Sequence, residues 1–233
     1  TTMMRCICGL LSPEKGSIEC DCENIGYLPQ QFGAMKSLTV YETMRYFATL
    51  KKIPKSNQDN EIRYCIDLVN LSDKIKNKVG SLSGGMVRRL GIAQAIMGNP
   101  EIVLFDEPTA GLDPEERVRF KSLLRKIKND KTIIISTHIV SDVKSICDEI
   151  VIINEGRNVV QGTCSDITSI GNEKVFLLDE EYENNLEGNY YVKDRISKDN
   201  KNYIIVLSSN FIEQGVSINA DIEDGYLCAL KNI

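Results

Sequence analysis

Apolar residues in the first half of the chain recur mostly at helical spacing. From Thr39 to about Lys51 and from Asp59 to Asn70 they return every three or four positions, which predicts two amphipathic helices. A shorter helix is predicted for Thr2 to Leu11. Ser17 to Cys22 and Ile25 to Leu28 have the short apolar pattern of strands, and the turn residues between them favour a small antiparallel pair.

Three apolar runs in the second half alternate with stretches of helical periodicity. The runs that we interpret as strands are Ile102 to Phe105, Thr132 to Ser136 and Ile150 to Ile153. The helical stretches cover residues 83–98, 115–128 and 139–147. Because strands that alternate with helices form parallel sheets, the pattern predicts an α/β fold with a mostly parallel central sheet.

The composition and the apolar pattern of the sequence change after about Thr168. Short, acidic, Asn-rich segments follow, with strand-like runs at Lys174 to Leu178, Tyr190 to Val192 and Tyr203 to Leu207. We therefore expect two domains. The first covers residues 1–168 and includes a helical subdomain at about 36–98, and the second is a small C-terminal α+β appendage at 169–233.

Composition and charge narrow the class of protein. With 233 residues, of which 42% are hydrophobic, the chain fits one sizeable α/β domain and a small appendage. Its net charge of −5, from 28 basic and 33 acidic residues mixed along the chain, provides no basic surface for nucleic acid. No stretch reaches the roughly 20 apolar residues of a spanning helix, so we expect no direct insertion into a membrane.

The eight cysteines do not have the spacing of a zinc site. Cys6 and Cys8, like Cys20 and Cys22, are spaced C-x-C without a second C-x-x-C or a histidine pair, and His138 is the only histidine. We expect free thiols in a reducing, cytoplasmic compartment. The first residues lack the pattern of a signal peptide and are expected to be internal to a longer protein.

Asp106 and Glu107 stand directly after the predicted strand Ile102 to Phe105. In a parallel sheet, ligands gather at the carboxyl ends of the strands, where these side chains would project. One carboxylate can hold Mg²⁺ while the other orients and partly deprotonates an attacking water. Taken alone, the pair is more typical of an ordinary strand that runs into a turn.

A Ser-Gly-Gly sequence, residues 83–85, comes just before another predicted helix. Ser83 is a candidate N-cap, and the two glycines leave backbone N–H groups uncovered. The free N–H groups and the helix dipole favour an anion such as phosphate at this end. Taken alone, an ordinary capped helix after a glycine turn explains the residues equally well.

Taken together and in order, five motifs resemble those of the ABC ATPase family. They are Gln30 in Tyr27-Leu28-Pro29-Gln30 as the Q-loop, Leu82 to Met86 as the signature, Val103 to Glu107 as the Walker B strand, Gly111-Leu112-Asp113 as the D-loop, and His138 in Ser136-Thr137-His138 as the switch histidine. The resemblance covers about residues 1–165. It implies a P-loop NTPase cassette of the ABC type that uses ATP and Mg²⁺.

The resemblance also implies which residues hold phosphate and metal. Thr1 and Thr2 match the end of a P-loop, G-x-x-x-x-G-K-T-T, whose glycines and lysine are not in this sequence. In the complete protein the hydroxyl of Thr1 would bind Mg²⁺, Thr2 would meet phosphate, Asp106 would hold the ion and Gln30 would sense it. The chain is therefore expected to be a fragment that binds ATP poorly by itself.

By the same resemblance, the catalytic residues are Glu107, His138 and Gln30. Glu107 would be the general base, and His138 would contact the γ-phosphate and help to position the water. Phosphoryl transfer depends mainly on positioning and charge neutralisation, which these groups would supply.

The signature residues imply a dimer. In the family, the residues that match Ser83, Gly84 and Gly85 complete the ATP site of a second ATPase subunit, with the match of Asp113 across the seam. Met86 stands where the family more often has glutamine, which removes a polar contact from this half of the site.

Other stretches resemble the parts of the family that work with a membrane protein. Phe32 to Ser37 and the helices that follow resemble the surface that receives the membrane permease. Tyr27 to Tyr41 and Pro108 to His138 look most like ABC-2 exporter cassettes, which act with a separate permease at the cytoplasmic face of the cell membrane. The alternatives are a soluble ABC ATPase outside transport and a non-hydrolytic regulatory cassette.

Overall fold

A computed structural model describes residues 1–20, 25–128, 131–144 and 146–233 of the chain. The chain divides into two compact units, Thr1–His138 and Ile139–Ile233. This division falls earlier than the boundary after residue 168 that the sequence predicts. The reason lies within the second unit, where the helix Cys164–Ser169 packs against the helix Ile222–Lys231.

The first unit is built around a three-stranded parallel sheet. Its strands are β1 (Ile25–Leu28), β2 (Ile102–Asp106) and β3 (Thr132–Ser136), in the order β1-β2-β3. The middle strand β2 is buried from Val103 to Asp106. The predicted parallel sheet is confirmed for β2 and β3, whose residues Ile102 and Thr132 pair in register.

One strand prediction in this unit is wrong. Among the described residues, β1 does not pair with the preceding segment in an antiparallel hairpin. It lies parallel to β2, with Leu28 opposite Phe105. Residues 17–20 have no regular secondary structure, and the predicted turn at 21–24 lies outside the described residues. A long helical crossover between β1 and β2 brings two strands that are distant in sequence side by side, which local periodicity does not reveal.

Five α-helices lie in the described part of the first unit. They are α1 (Thr2–Ile7), α2 (Val40–Leu50), α3 (Lys55–Leu68), α4 (Gly84–Ile96) and α5 (Pro114–Ile127). Local signals set their starts: Thr39 and Glu42 form a reciprocal capping box before α2, and Asp113 caps α5 just before a proline at its first position. The helices predicted from periodicity are confirmed, with ends shifted by a few residues.

Helix α4 lies unusually close to β1. Every residue from Arg88 to Ile96 is buried, so the helix has no solvent face along most of its length. A Cβ on Gly26 would overlap the backbone carbonyl of Ala95, and one on Gly91 would lie 2.6 Å from Leu28 Cδ1. Glycine at these two positions therefore allows the helix to approach the sheet.

In its described residues, the second unit contains six strands, which form two antiparallel sheets, and three α-helices. In chain order they are α6 (Val140–Val143), β4 (Ile150–Asn154), β5 (Arg157–Gly162), α7 (Cys164–Ser169), β6 (Val175–Asp179), β7 (Tyr190–Lys198), β8 (Lys201–Ser208), β9 (Val216–Ser217) and α8 (Ile222–Lys231). β4 pairs with β5, and the other four strands follow the order β7-β8-β6-β9. The predicted α+β character of this region is confirmed.

The prediction that Ile150 to Ile153 belongs to the parallel sheet is wrong. This segment is β4 and pairs antiparallel with β5. Only Glu155 and Gly156 separate the two strands, and both have positive φ angles, 49° and 75°. Such a two-residue turn produces a hairpin and leaves no room for a crossover to a parallel neighbour.

Candidate ATP and metal site

Three loops meet at one edge of the parallel sheet, because each follows the carboxyl end of a neighbouring strand. Pro29 and Gln30 follow β1, Asp106 and Glu107 end β2, and residues 136–138 end β3. The structure thus brings Asp106, Glu107 and His138 together. The strand-end pattern predicts this edge for Asp106 and Glu107, and the family resemblance adds His138. Gln30 lies at the same edge and is exposed.

Asp106 is a buried carboxylate surrounded by hydroxyl groups. Its side chain is 1% exposed, and its Oδ1 accepts a hydrogen bond of 2.7 Å from the Ser136 hydroxyl. The hydroxyl of Tyr27 lies 3.5 Å from Oδ2. The Thr1 side chain is also hydrogen-bonded to this carboxylate.

These contacts keep Asp106 ionised. Burial alone would raise the pKa of Asp106, but the hydrogen bonds from the Ser136 and Thr1 side chains act in the opposite direction, and the pKa lies below its ordinary value. Burial and the charge of Asp106 together raise the pKa of Tyr27, which stays protonated. A buried, ionised carboxylate beside hydroxyl oxygens is a donor set that suits Mg²⁺.

Glu107 has a backbone conformation that few residues of its type adopt. Its φ is +50°, in the left-handed region, and its backbone N–H donates to both the carbonyl (3.1 Å) and the hydroxyl (3.0 Å) of Ser136. Non-glycine residues remain in this region only where their surroundings hold them, and such residues are concentrated at functional sites. The turn after β2 therefore fixes the direction in which the Glu107 side chain leaves the backbone.

His138 meets the Glu107 side chain directly. Its Nδ1 lies 2.8 Å from Glu107 Oε2. The His138 side chain is 71% exposed, whereas that of Glu107 is 17% exposed. The carboxylate is therefore shielded beside the imidazole, which faces solvent, where a substrate could reach it.

The signature residues form a second group, at the starts of helices. Ser83 caps α4, because its hydroxyl accepts a hydrogen bond of 3.3 Å from Met86 N–H, which confirms the predicted N-cap. Ser83 and Gly84 are exposed. Gly85 lies against Glu116 of α5, the helix that Asp113 caps through a 2.8 Å bond from Glu116 N–H. The signature and D-loop residues are thus neighbours on the surface of the unit.

The sequence predicted no role in the site for three of its residues: Tyr27, Arg88 and Ser136. Arg88 is 9% exposed and donates hydrogen bonds to backbone carbonyls at the ends of β1 and β2. Burial lowers its pKa from the ordinary value, while the nearby charges of Asp106 and Glu107 act in the opposite direction. An arginine within the apolar run of α4 was the available signal, because a buried charge requires partners.

Two negative findings bear on the site, and both apply to the described part of the chain. No group of three or more His, Cys, Asp or Glu side chains is placed to hold a metal ion there. An ion at Asp106 would therefore need hydroxyl, water or substrate oxygens as its further ligands. Within the same ranges, no helix has the length and apolar character that crossing a membrane requires.

Comparisons with known proteins agree with this geometry. The family model described as ABC transporter matches residues 1–110. An ABC transporter ATP-binding protein of Bacillus subtilis, YxlF, is 30% identical over 229 residues, which covers 95% of this chain and 77% of the relative. A methionine import ATP-binding protein of Corynebacterium efficiens, MetN, is 34% identical over 186 residues, and the match spans 72% of this chain and 52% of MetN.

Solved structures show the same fold. The cbiO1 protein of Clostridium perfringens, described as part of the ABC transporter complex cbiONQ, is 26% identical, with a TM-score of 0.65 over 72% of this chain and 74% of that one. An ATP-binding subunit of an ABC transporter, 24% identical, gives a TM-score of 0.64 over 72% of this chain and 75% of that one. The fold is that of an ABC-type P-loop NTPase cassette. The chain belongs to the ATP-binding proteins of the ABC transporter family.

Proposed function

We propose that the protein is the ATP-hydrolysing subunit of an ABC transporter. The observation that carries this proposal is the contact between Glu107 and His138 beside the buried, ionised Asp106, at one edge of a parallel sheet. These positions support roles in hydrolysis. Asp106 would hold a metal ion, and Glu107, beside His138, would orient a water molecule.

The proposed ligands of Mg²⁺ are Asp106, Thr1 and Gln30. The hydroxyl of Thr1 already contacts the Asp106 carboxylate, so the two oxygen donors are adjacent. Mg²⁺ would neutralise charge on the β- and γ-phosphates during phosphoryl transfer. Thr2, the first residue of α1, is proposed to meet phosphate through its N–H and hydroxyl.

Glu107 is the proposed general base. Its carboxylate is largely shielded and is fixed by the left-handed backbone and by His138, so it can orient an attacking water and accept its proton. His138 is proposed to contact the γ-phosphate with the exposed part of its ring. Gln30, exposed at the end of β1, is proposed to link the metal to the neighbouring loop.

A second ATPase subunit is proposed to complete the site. Ser83, Gly84 and Gly85 would bind the ATP of that subunit, because α4 presents an exposed, serine-capped N-terminus there. Asp113 would lie at the seam between the two subunits. Its adjacency to the signature through Glu116 and Gly85 supports one continuous contact surface.

Transport is proposed to run through a separate membrane permease of the ABC-2 type, with this protein at the cytoplasmic face of the cell membrane. The surface at Phe32 to Ser37 and the helices of the 36–98 subdomain would receive the permease. Residues 169–233 are proposed as an accessory segment without a part in hydrolysis, separate from the 1–168 ATPase domain. Export is the proposed direction, and the methionine import proteins among the relatives make direction the point that a transport assay must decide.

The experiment uses the full gene product that contains this sequence, purified alone and with its permease in vesicles. We expect ATP hydrolysis that requires Mg²⁺ and stops with a chelator. Asp106→Asn should remove the metal dependence together with the activity. Absence of hydrolysis in both preparations would contradict the proposal. Accumulation of substrate on the side of the membrane where ATP is present would contradict export while leaving the ATPase role intact.

A further inference from the structure

Arg88 makes five hydrogen bonds, all of them to backbone carbonyls. Its Nε donates to Pro108 O at 3.1 Å. Its Nη1 donates to Pro29 O at 3.0 Å and to Gln30 O at 2.9 Å, and its Nη2 donates to Asp106 O at 2.7 Å and to Glu107 O at 2.6 Å. A guanidinium has five N–H groups, so each one has its own acceptor.

This arrangement fixes the turn that carries Glu107. The carbonyls of Asp106, Glu107 and Pro108 are consecutive, and all three point to one rigid, planar group. Glu107 lies in the middle of the three with its φ of +50°. Three successive peptide orientations held in this way leave the strained residue little room to relax to an ordinary backbone conformation.

The same guanidinium connects two loops of the site. Pro29 and Gln30 end β1, whereas Asp106 to Pro108 end β2, and Arg88 bonds to both groups. Arg88 also belongs to α4, the helix whose exposed N-terminus is Ser83. A displacement of α4 would therefore be transmitted to the loop of Gln30 and to the turn of Glu107 at the same time.

The neighbouring Arg89 has the same exposure but other partners. It is also 9% exposed, and it bonds to the carbonyls of Val69 (3.1 Å) and Asn70 (3.0 Å) and pairs with Glu116 at 3.2 Å. None of these groups belongs to the turn of Glu107. Arg89 is therefore a matched reference for the cost of disturbing a buried arginine in α4.

We propose that Arg88 is a positioning residue. It holds the Glu107 turn and the Gln30 loop in fixed positions relative to each other, so that Glu107 can activate water. The inference rests on the proposed ATPase function. Arg88 acts through Glu107 and contacts neither phosphate nor metal. Its loss should therefore slow the chemical step and leave ATP binding almost unchanged.

The test compares kcat and KM for ATP in the full gene product, using Arg88→Lys and Glu107→Gln separately and together. Lysine keeps the charge but has only three donors without a planar fork, so it cannot hold five carbonyls. We expect Arg88→Lys to lower kcat at least about tenfold with KM within about threefold. In the Glu107→Gln background the same change should have an effect of less than about twofold, because the residue it acts through is already disabled.

Arg89→Lys is the control for a merely structural effect. It should lower thermal stability about as much as Arg88→Lys, while any slowing it causes should be the same with and without Glu107→Gln. The inference is overturned if Arg88→Lys leaves kcat within about threefold of the wild type, or if its slowing persists undiminished in the Glu107→Gln background. A wild type that does not hydrolyse ATP would instead refute the proposed function.

A second measurement needs no variant. Amide hydrogen exchange of the wild-type protein should show Glu107 N–H and Ala110 N–H, which donate to Ser136 O and Glu107 O, protected at least about 100-fold relative to exposed loop amides. Rapid exchange of both would show that the turn is mobile and would overturn the positioning role even if Arg88→Lys failed to fold.

Discussion

His138 Nδ1 lies 2.8 Å from Glu107 Oε2, at the point where β3 and β2 end side by side. The contact joins an exposed imidazole to a shielded carboxylate. A base held in this way keeps one orientation while its partner faces the solvent, where ATP would bind.

Replacing His138 by alanine should slow hydrolysis by about two orders of magnitude, because Glu107 and the attacking water lose the imidazole that helps to position them. The measurement is kcat for ATP in the full gene product. His138→Gln retains a hydrogen-bonding group and should retain more activity than His138→Ala. Equal activity of the wild type and both variants would show that the contact has no part in the reaction.

Ser136→Ala should lower the free energy of unfolding more at neutral than at acid pH. The Ser136 hydroxyl helps to hold the pKa of Asp106 below its ordinary value of 3.8. A depressed carboxyl pKa contributes stability that is present above about pH 3.8 and is lost as the pH falls through the folded-state value. Urea unfolding at about pH 7 and about pH 3 should therefore show a smaller difference between Ser136→Ala and the wild type at the lower pH. A difference that is independent of pH would contradict this account of Asp106.

Lys51 should make the free energy of unfolding rise with pH in the alkaline range. Its Nζ donates to the carbonyls of Met97 (2.7 Å) and Ala95 (3.3 Å) at the end of α4, and burial lowers its pKa from 10.5 to about 8. The folded state releases this proton at a lower pH than the unfolded state does. The contribution of Lys51 to the free energy of unfolding therefore rises between about pH 8 and pH 10.5, and it is lost again as the pH falls through this range to the folded pKa.

The measurement is the free energy of unfolding across that pH range. Lys51→Met should flatten the rise relative to the wild type, whereas Lys52→Met, which changes the exposed neighbour, should leave it in place. If both variants retain the same pH profile as the wild type, the lowered pKa of Lys51 has no role in stability.

Gly26→Ala should destabilise the first unit by about 1–3 kcal/mol or more, because the new methyl group would overlap the Ala95 carbonyl and push α4 away from β1. Gly33→Ala is the matched control, since a Cβ there has nothing within 4 Å. Thermal unfolding of the two variants gives the comparison. Equal melting temperatures would mean that α4 can move away from the sheet without cost.

The sequence predicted those elements whose signals are local. The apolar run Thr132 to Ser136 is a strand over the same residues, and the predicted cap Ser83 begins α4. The pairing of β1 was wrong because its partner β2 is distant in sequence. The pairing of β4 was wrong because a two-residue turn with positive φ decided it, which the apolar pattern does not show.

The residues of the site also divide into those with a local sequence signal and those without one. Asp106 and Glu107 could be placed at the sheet edge because they follow a recognisable strand, whereas His138 was assigned through the resemblance to the family. Arg88 could not be assigned to the site, since its role depends on five backbone carbonyls from two segments distant from it in the sequence. The left-handed backbone of Glu107 was equally hidden, because nothing in its side chain favours that conformation.

The most direct test of the account is the behaviour of Glu107→Gln in the full gene product with Mg²⁺ and ATP. Glutamine keeps the shape of the side chain but cannot accept the proton of water, so hydrolysis should fall by about two orders of magnitude or more while ATP stays bound. The measurement is turnover together with retained nucleotide and subunit mass, and we predict a stable, ATP-loaded dimer without turnover. Turnover close to that of the wild type would contradict the central claim that Glu107 is the base.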